Sequence, residues 1–140
     1  MSSPAQYLLD TNVLSETRKR DADEKVIAFL QATDPSTLYI SVLTLGEMRK
    51  GVEQKRRTDA EAAERIAQWV DGLELGFAER ILGIDAATAR LWGEWSAQRP
   101  RPVVDTLLAA TAVVHGLTFV TRNTSDVRDI ELKLLNPFTA

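Results

Sequence analysis

An α/β fold built on a central parallel sheet is predicted by two features of this chain. Short β-prone runs at residues 6–10, 38–40, 80–84 and 117–121 alternate with stretches of helical periodicity. Strands separated by helices need crossover connections, and these pair the strands in parallel and cover both faces of the sheet. No internal repeat, low-complexity tract or linker interrupts the pattern, so a single domain over residues 1–140 is expected.

The elements follow in order. Gln6, Tyr7, Leu8 and Leu9 form a buried strand that delivers Asp10 to its C-terminal end, and residues 11–18 read as a short helix. Asp23 caps a second helix whose apolar face is Val26, Ile27, Phe29 and Leu30, stopped by Asp34-Pro35. Leu38-Tyr39-Ile40 is the second strand. Ser41 or Thr44 then opens a longer helix, since Thr44-Leu45-Gly46-Glu47 has capping-box spacing. Thr58-Asp59 restarts a helix through Ile66, Trp69, Val70 and Leu73, so the two helices form an antiparallel, protruding arm. A third strand at 80–84 precedes a helix begun by Asp85 and containing Trp92 and Trp95. Residues 98–102 form an Arg/Pro-rich loop, and 103–115 form an apolar helix ended by Gly116. The strongly β-prone run 117–121 is followed by a loop to Val127 and an edge strand within 131–135.

Composition narrows the function classes. Seventeen basic against 20 acidic residues give a formal charge of −3, so overall charge does not attract nucleic acid, although a local basic patch can. With no cysteine, disulfides, thiolate metal sites and thiol nucleophiles are excluded. The start of the chain lacks a signal-peptide pattern, and no apolar run reaches membrane-spanning length. A cytoplasmic protein without a membrane partner is expected.

Four acids mark the ends of strands or the starts of helices: Asp10, Glu47, Asp105 and Asp126. Ligands of open α/β sheets gather at the carboxyl ends of strands. A carboxylate delivered there, with no neighbouring Lys or Arg, points to a hard cation. Each acid also has a bland explanation. Asp10 can cap the next helix, Glu47 and Asp105 suit helix N-termini, and Asp126 can be an ordinary loop acid.

Four blocks tip that balance when taken together. Leu8-Leu9-Asp10-Thr11-Asn12-Val13-Leu14-Ser15-Glu16, Ser41-Val42-Leu43-Thr44-Leu45-Gly46-Glu47, Asp105-Thr106-Leu107-Leu108-Ala109-Ala110-Thr111-Ala112 and Val120-Thr121-Arg122-Asn123-Thr124-Ser125-Asp126 resemble, in family order, the PIN-domain ribonucleases. Within them the likeness is to the VapC-type and FitB-type toxins of bacterial toxin–antitoxin pairs. The resemblance implies a small α/β/α sandwich and Mg²⁺- or Mn²⁺-dependent endonucleolytic cleavage of RNA. It makes Asp10 and Asp105 the principal metal carboxylates, with Glu47 and Asp126 completing the catalytic set. Asn12 and Thr121 become supporting polar residues that orient ligands or waters, and Asn123 is a weaker candidate for that task. Val127 departs from the pattern, because relatives often carry an aromatic residue after the last acid.

Partners follow from the same resemblance: an RNA substrate, a second copy in a homodimer, and a cognate antitoxin. The antitoxin would lay a tail over apolar faces of the helical arm. A nuclease also needs cations around its acidic pocket, and Arg18, Arg49 and Arg101 are the expected RNA-binding rim. His115, beside Gly116 at a helix end, suits a structural C-terminal role. The three tryptophans fall at helical spacing beside apolar residues and suit packing. Two other functions compete. Asp10 could be a phospho-acceptor, but aspartyl nucleophiles of the haloacid-dehalogenase type usually carry a second Asp two residues on, where this chain has Asn12. Alternatively the chain is a catalytically silent PIN-like RNA-binding or scaffolding module, against which the retention of all four acids counts.

Overall fold

The computed structural model describes residues 4–139. Its core is a five-stranded sheet with the order β3-β2-β1-β4-β5, and every neighbouring pair is parallel. The strands are short: β1 Tyr7–Leu9, β2 Leu38–Ser41, β3 Ile81–Leu82, β4 Thr118–Val120 and β5 Leu134–Leu135. Four are shorter than the stretch expected from sequence, because the helix that follows begins at once or the backbone turns away, whereas β2 runs one residue past Ile40 to Ser41. Among the described residues six α-helices complete the fold: α1 Thr11–Glu16, α2 Glu24–Ala32, α3 Val42–Arg56, α4 Ala60–Phe77, α5 Ala86–Gln98 and α6 Val103–Val114. No helix among the described residues is long and apolar enough to cross a membrane.

Alternation along each strand divides the core into two layers. Leu9, Ile40 and Val120 face one side, where Val13, Val26, Met48, Val52, Ala63, Ala67 and Val70 of α1 to α4 cover them. Leu8 and Phe119 face the other, under Leu108, Ala109 and Ala112 of α6 with Val127 and Ile130 beyond. Helices α3 and α4 form the expected antiparallel pair. Their buried faces belong to the first layer, so the base of the arm is part of the core.

The helix starts repeat one device. Asp10, Asp23, Ser41, Asp59 and Asp85 each accept a backbone N–H of the first turn through a side-chain oxygen. The capping box expected at Thr44 does not form. Ser41 ends β2 in an extended conformation, and its Oγ accepts from Leu43 N at 3.0 Å, so α3 starts before Thr44 can cap it. That register carries Glu47 into the second turn and frees its carboxylate for other contacts. At the far end, Gly116 adopts φ +67°, the left-handed conformation that stops α6 and turns the chain into β4.

Candidate active site

The strand order reverses direction between β1 and β4, whose carboxyl ends therefore frame the crevice where doubly wound sheets bind ligands. Asp10 stands at that point. Its backbone N–H donates to Val120 O at 2.9 Å, which ties it to the end of β4. Its Oδ1 accepts from Thr11 N at 2.7 Å, and its Oδ2 accepts from Thr121 Oγ1 at 2.8 Å and from Asn12 Nδ2 at 3.4 Å. The residue is 4% exposed. Burial pushes its carboxyl up to about 6, against the pull of the Thr121 and Thr11 bonds, and the negative charges of Asp105 and Glu47 push the same way. All three donors are neutral, so none supplies the positive charge that a buried carboxylate lacks. The capping role and the site role thus coexist in one side chain.

Other elements bring the remaining acids. Glu47 projects from α3, and its Oε1 accepts from Thr11 Oγ1 at 2.6 Å. Asp105 is half-buried in the first turn of α6. A helix N-terminus favours a negative charge. Even so, its carboxyl is raised by burial and then by the charges of Asp126 and Glu47. Asp126 sits, half-buried, in the 3-10 turn Ser125–Val127. Asp10 feels Asp105 and Glu47, while Asp105 feels Asp126 and Glu47, so the four acids share one electrostatic pocket. Among the described residues no three acidic or histidine side chains stand together as a ready-made metal cage. An Mg²⁺ ion does not need one, since it keeps several waters and takes one or two carboxylates directly. The donors are all hard oxygens, the chain has no cysteine, and the Asp10 and Asp105 carboxyls are held above their ordinary range. This set suits Mg²⁺ or Mn²⁺.

The supporting residues join the pocket to β4. Asn12 Oδ1 accepts from Arg122 N at 3.3 Å, and Thr121 Oγ1 accepts from Asn123 N at 3.0 Å while donating to Asp10. Asn123 enters through its backbone. Val127, the residue that departs from the pattern, is buried in the α6 layer and anchors the Asp126 turn there. Sequence reasoning overlooked Thr11 as a supporting residue. Its hydroxyl fixes Glu47 while its N–H holds Asp10, and the only signal was a hydroxyl directly after the strand-end acid.

The three rim arginines separate. Arg18 lines a cleft of about 250 Å³ with Thr11, Glu47, Lys55, Ile66 and Trp69, and its guanidinium lies 5.4 Å from the centre of the Trp69 ring. Arg49 is shared between Asp71 and Glu74 of α4, so it ties the arm together. Arg101 departs furthest from the expectation. Its side chain is 1% exposed and donates to Trp95 O, Gln98 Oε1 and both oxygens of Asp129, which turn it inward and away from any phosphate. His115 lies at the C-cap of α6, with Nε2 3.9 Å from Asp85. Trp69 and Trp95 each pack against a core layer, as expected.

A chain with four acids at the switch point of a short parallel sheet has the architecture of one known class. The PIN domain family matches residues 7–131, and the protein belongs to that family. Its relatives place it beside the VapC and FitB toxins. It is 34% identical to the VapC ribonuclease Y4jK of Sinorhizobium fredii, over 94% of this chain and 96% of that protein. It is 31% identical to toxin FitB of Neisseria gonorrhoeae, over 94% and 97%. The structure resembles the crystal structure of FitAcB from the same organism, with a TM-score of 0.87 and 28% identity over 96% of this chain and 100% of that one.

Proposed function

We propose that this protein is a divalent-metal-dependent endoribonuclease and the toxin of a toxin–antitoxin pair. The observation that carries the reading is the shared pocket, in which Asp10 is buried at the sheet's switch point without a cationic partner among the described residues. The kinship supports it, since relatives named ribonucleases and toxins align over almost the whole chain.

Asp10 and Asp105 would hold the ion, with Glu47 and Asp126 contacting it directly or through its waters. When bound, such an ion polarises a phosphoryl oxygen and lowers the pKa of water, supplying a nucleophile at neutral pH. The chain's own residues do the positioning. Thr11, Asn12 and Thr121 hold Asp10, and Thr11 also holds Glu47. Arg18 and Lys55 line the adjoining cleft, where they would hold phosphates of the RNA strand and keep the scissile group over the acids. The apolar residues of that cleft, Met48, Ile66 and Trp69, would also receive the antitoxin tail. Val42 and Val103 are exposed and suit the contact with a second copy. The place of action is the cytoplasm.

The test is incubation of antitoxin-free protein with a total small-RNA pool, with Mg²⁺, with Mn²⁺ and with EDTA, beside Asp10→Asn. Discrete fragments that need metal and disappear in the variant are expected. Metal-independent cleavage, or cleavage surviving Asp10→Asn, would sink the reading. RNA binding without cleavage by folded, metal-supplied protein would instead favour the silent binding module.

A further inference from the structure

Beside the acidic pocket lies an ion cluster to which neither the resemblance nor the mechanism assigns a role. Asp129, just after the Asp126 turn, is gripped by two guanidinium groups. Arg101 donates Nη1 to Oδ1 at 3.1 Å and Nη2 to Oδ2 at 2.9 Å. Arg99 donates Nη2 to Oδ1 at 2.9 Å and Nε to Oδ2 at 3.2 Å. Two bidentate forks on one carboxylate make a rigid arrangement, because the planar groups must share one orientation. Arg101 is anchored further by Trp95 O and Gln98 Oε1 at the end of α5. Arg99 Nη2 also reaches Asp126 O at 3.3 Å, and the arginine senses the charge of that residue.

The connectivity gives this cluster its purpose. Both arginines lie in the α5–α6 loop, and Asp105 follows Arg101 by one helical turn. Asp129 lies three residues beyond Asp126. The clamp therefore fastens the two segments that carry Asp105 and Asp126. Those acids repel each other, since the charge of Asp126 raises the Asp105 carboxyl. Two segments bearing like charges would move apart if nothing tied them. The clamp supplies the tie, and it adds a positive group beside Asp126.

We propose that Asp129, clamped between Arg99 and Arg101, is a positioning residue that locks the Asp126 turn against the start of α6 and so sets the pocket's affinity for its divalent cation. The inference rests on the nuclease reading above and goes one step further. Asp129 touches neither ion nor RNA; it acts through Asp126 and Asp105.

The experiment measures Mn²⁺ binding to the full chain by the electron paramagnetic resonance of free Mn²⁺, well below each variant's melting temperature. Asp129→Asn and Arg99→Ala are compared with wild type and Asp10→Asn. Arg99→Ala removes the link to Asp126 while leaving the pair of buried Arg101 with Asp129, so it tests the idea even where Asp129→Asn folds poorly. Weakening of Mn²⁺ binding by about tenfold or more is expected in both, the effect typical of a residue that orients a metal ligand. RNA KM at saturating Mn²⁺ is expected to stay unchanged. Wild-type Mn²⁺ affinity in both variants, with only a lowered melting temperature, overturns the proposal and leaves the nuclease reading intact. Absence of Asp10-dependent Mn²⁺ binding in the wild type overturns both.

Discussion

Asp10 and Asp129 are both carboxylates with several hydrogen bonds, yet they stand at opposite ends of the ionisation scale. Asp10 is 4% exposed and surrounded by neutral donors and other acids, and its carboxyl is raised to about 6. Asp129 has a side chain 46% exposed between two guanidinium groups, and these hold its carboxyl far below the ordinary range. Hydrogen-bond number does not separate them; burial and the charge of the neighbours do. Asp129 is satisfied within the protein. Asp10 is left with a demand for positive charge that no described residue meets, and that unmet demand separates a binding site from a structural ion pair.

The largest test of this contrast is Asp10→Asn. The change keeps shape and removes the charge that the other acids and burial disfavour. Loss of metal-dependent cleavage by about 10²–10³-fold or more is expected, on the scale of deleting a principal electrostatic group. In the absence of metal the variant should melt no lower than wild type, and differential scanning calorimetry in EDTA checks this. A clearly lower melting temperature would mean that Asp10 is mainly a helix cap.

A second test uses pH. Because the Asp10 carboxyl is raised in the folded state, the native protein binds more protons than the unfolded chain between its ordinary value near 3.8 and about 6. Its contribution to stability is therefore fully present below that window and is lost as pH rises through about 6. A shift of this size corresponds to roughly 2–3 kcal/mol at full expression. Urea midpoints in EDTA should show this loss in wild type and a flatter profile in Asp10→Asn. Saturating Mn²⁺ should restore stability above pH 6, since the ion binds the ionised form. Asp129 works with the opposite sign: its stabilisation is present at neutral pH and is lost only as acid protonates it.

Thr121→Val is a finer probe of the same carboxylate. The substitution keeps volume and removes the donor to Oδ2, a bond that favours the ionised form. The Asp10 carboxyl should rise further, and the acidic limb of the pH–activity profile should move to higher pH. Metal affinity should weaken by about tenfold. An unchanged profile would show that Thr11 and Asn12 suffice to hold Asp10.

The sequence carried the order of the four acids and the parallel sheet, because both depend on local pattern. A strand that ends in a carboxylate is legible residue by residue. The α3 start stays open between Ser41 and Thr44 in the sequence, since both are good caps and only the tight junction with β2 decides for Ser41. The Thr11–Glu47 bond joins residues 36 apart, and the Arg101–Asp129 pair joins residues 28 apart. No periodicity announces such contacts. The reading of Arg101 as a rim cation shows the consequence: a loop arginine is usually exposed, and the burial of this one becomes visible only once the fold brings Asp129 to it.

Arg49 offers the smallest expected effect and a control for the rest. Like Asp129, it belongs to an ion cluster, but it is partly exposed and shares its charge with Asp71 and Glu74 on the surface of the arm. Screened pairs of this kind contribute less than about 1 kcal/mol. Arg49→Ala should therefore leave cleavage within about twofold and shift the urea midpoint only slightly, with salt reducing the difference further. A large loss of cleavage at unchanged stability would instead place Arg49 on the RNA path. The exposed cations of α3 would then join Arg18 in holding the substrate.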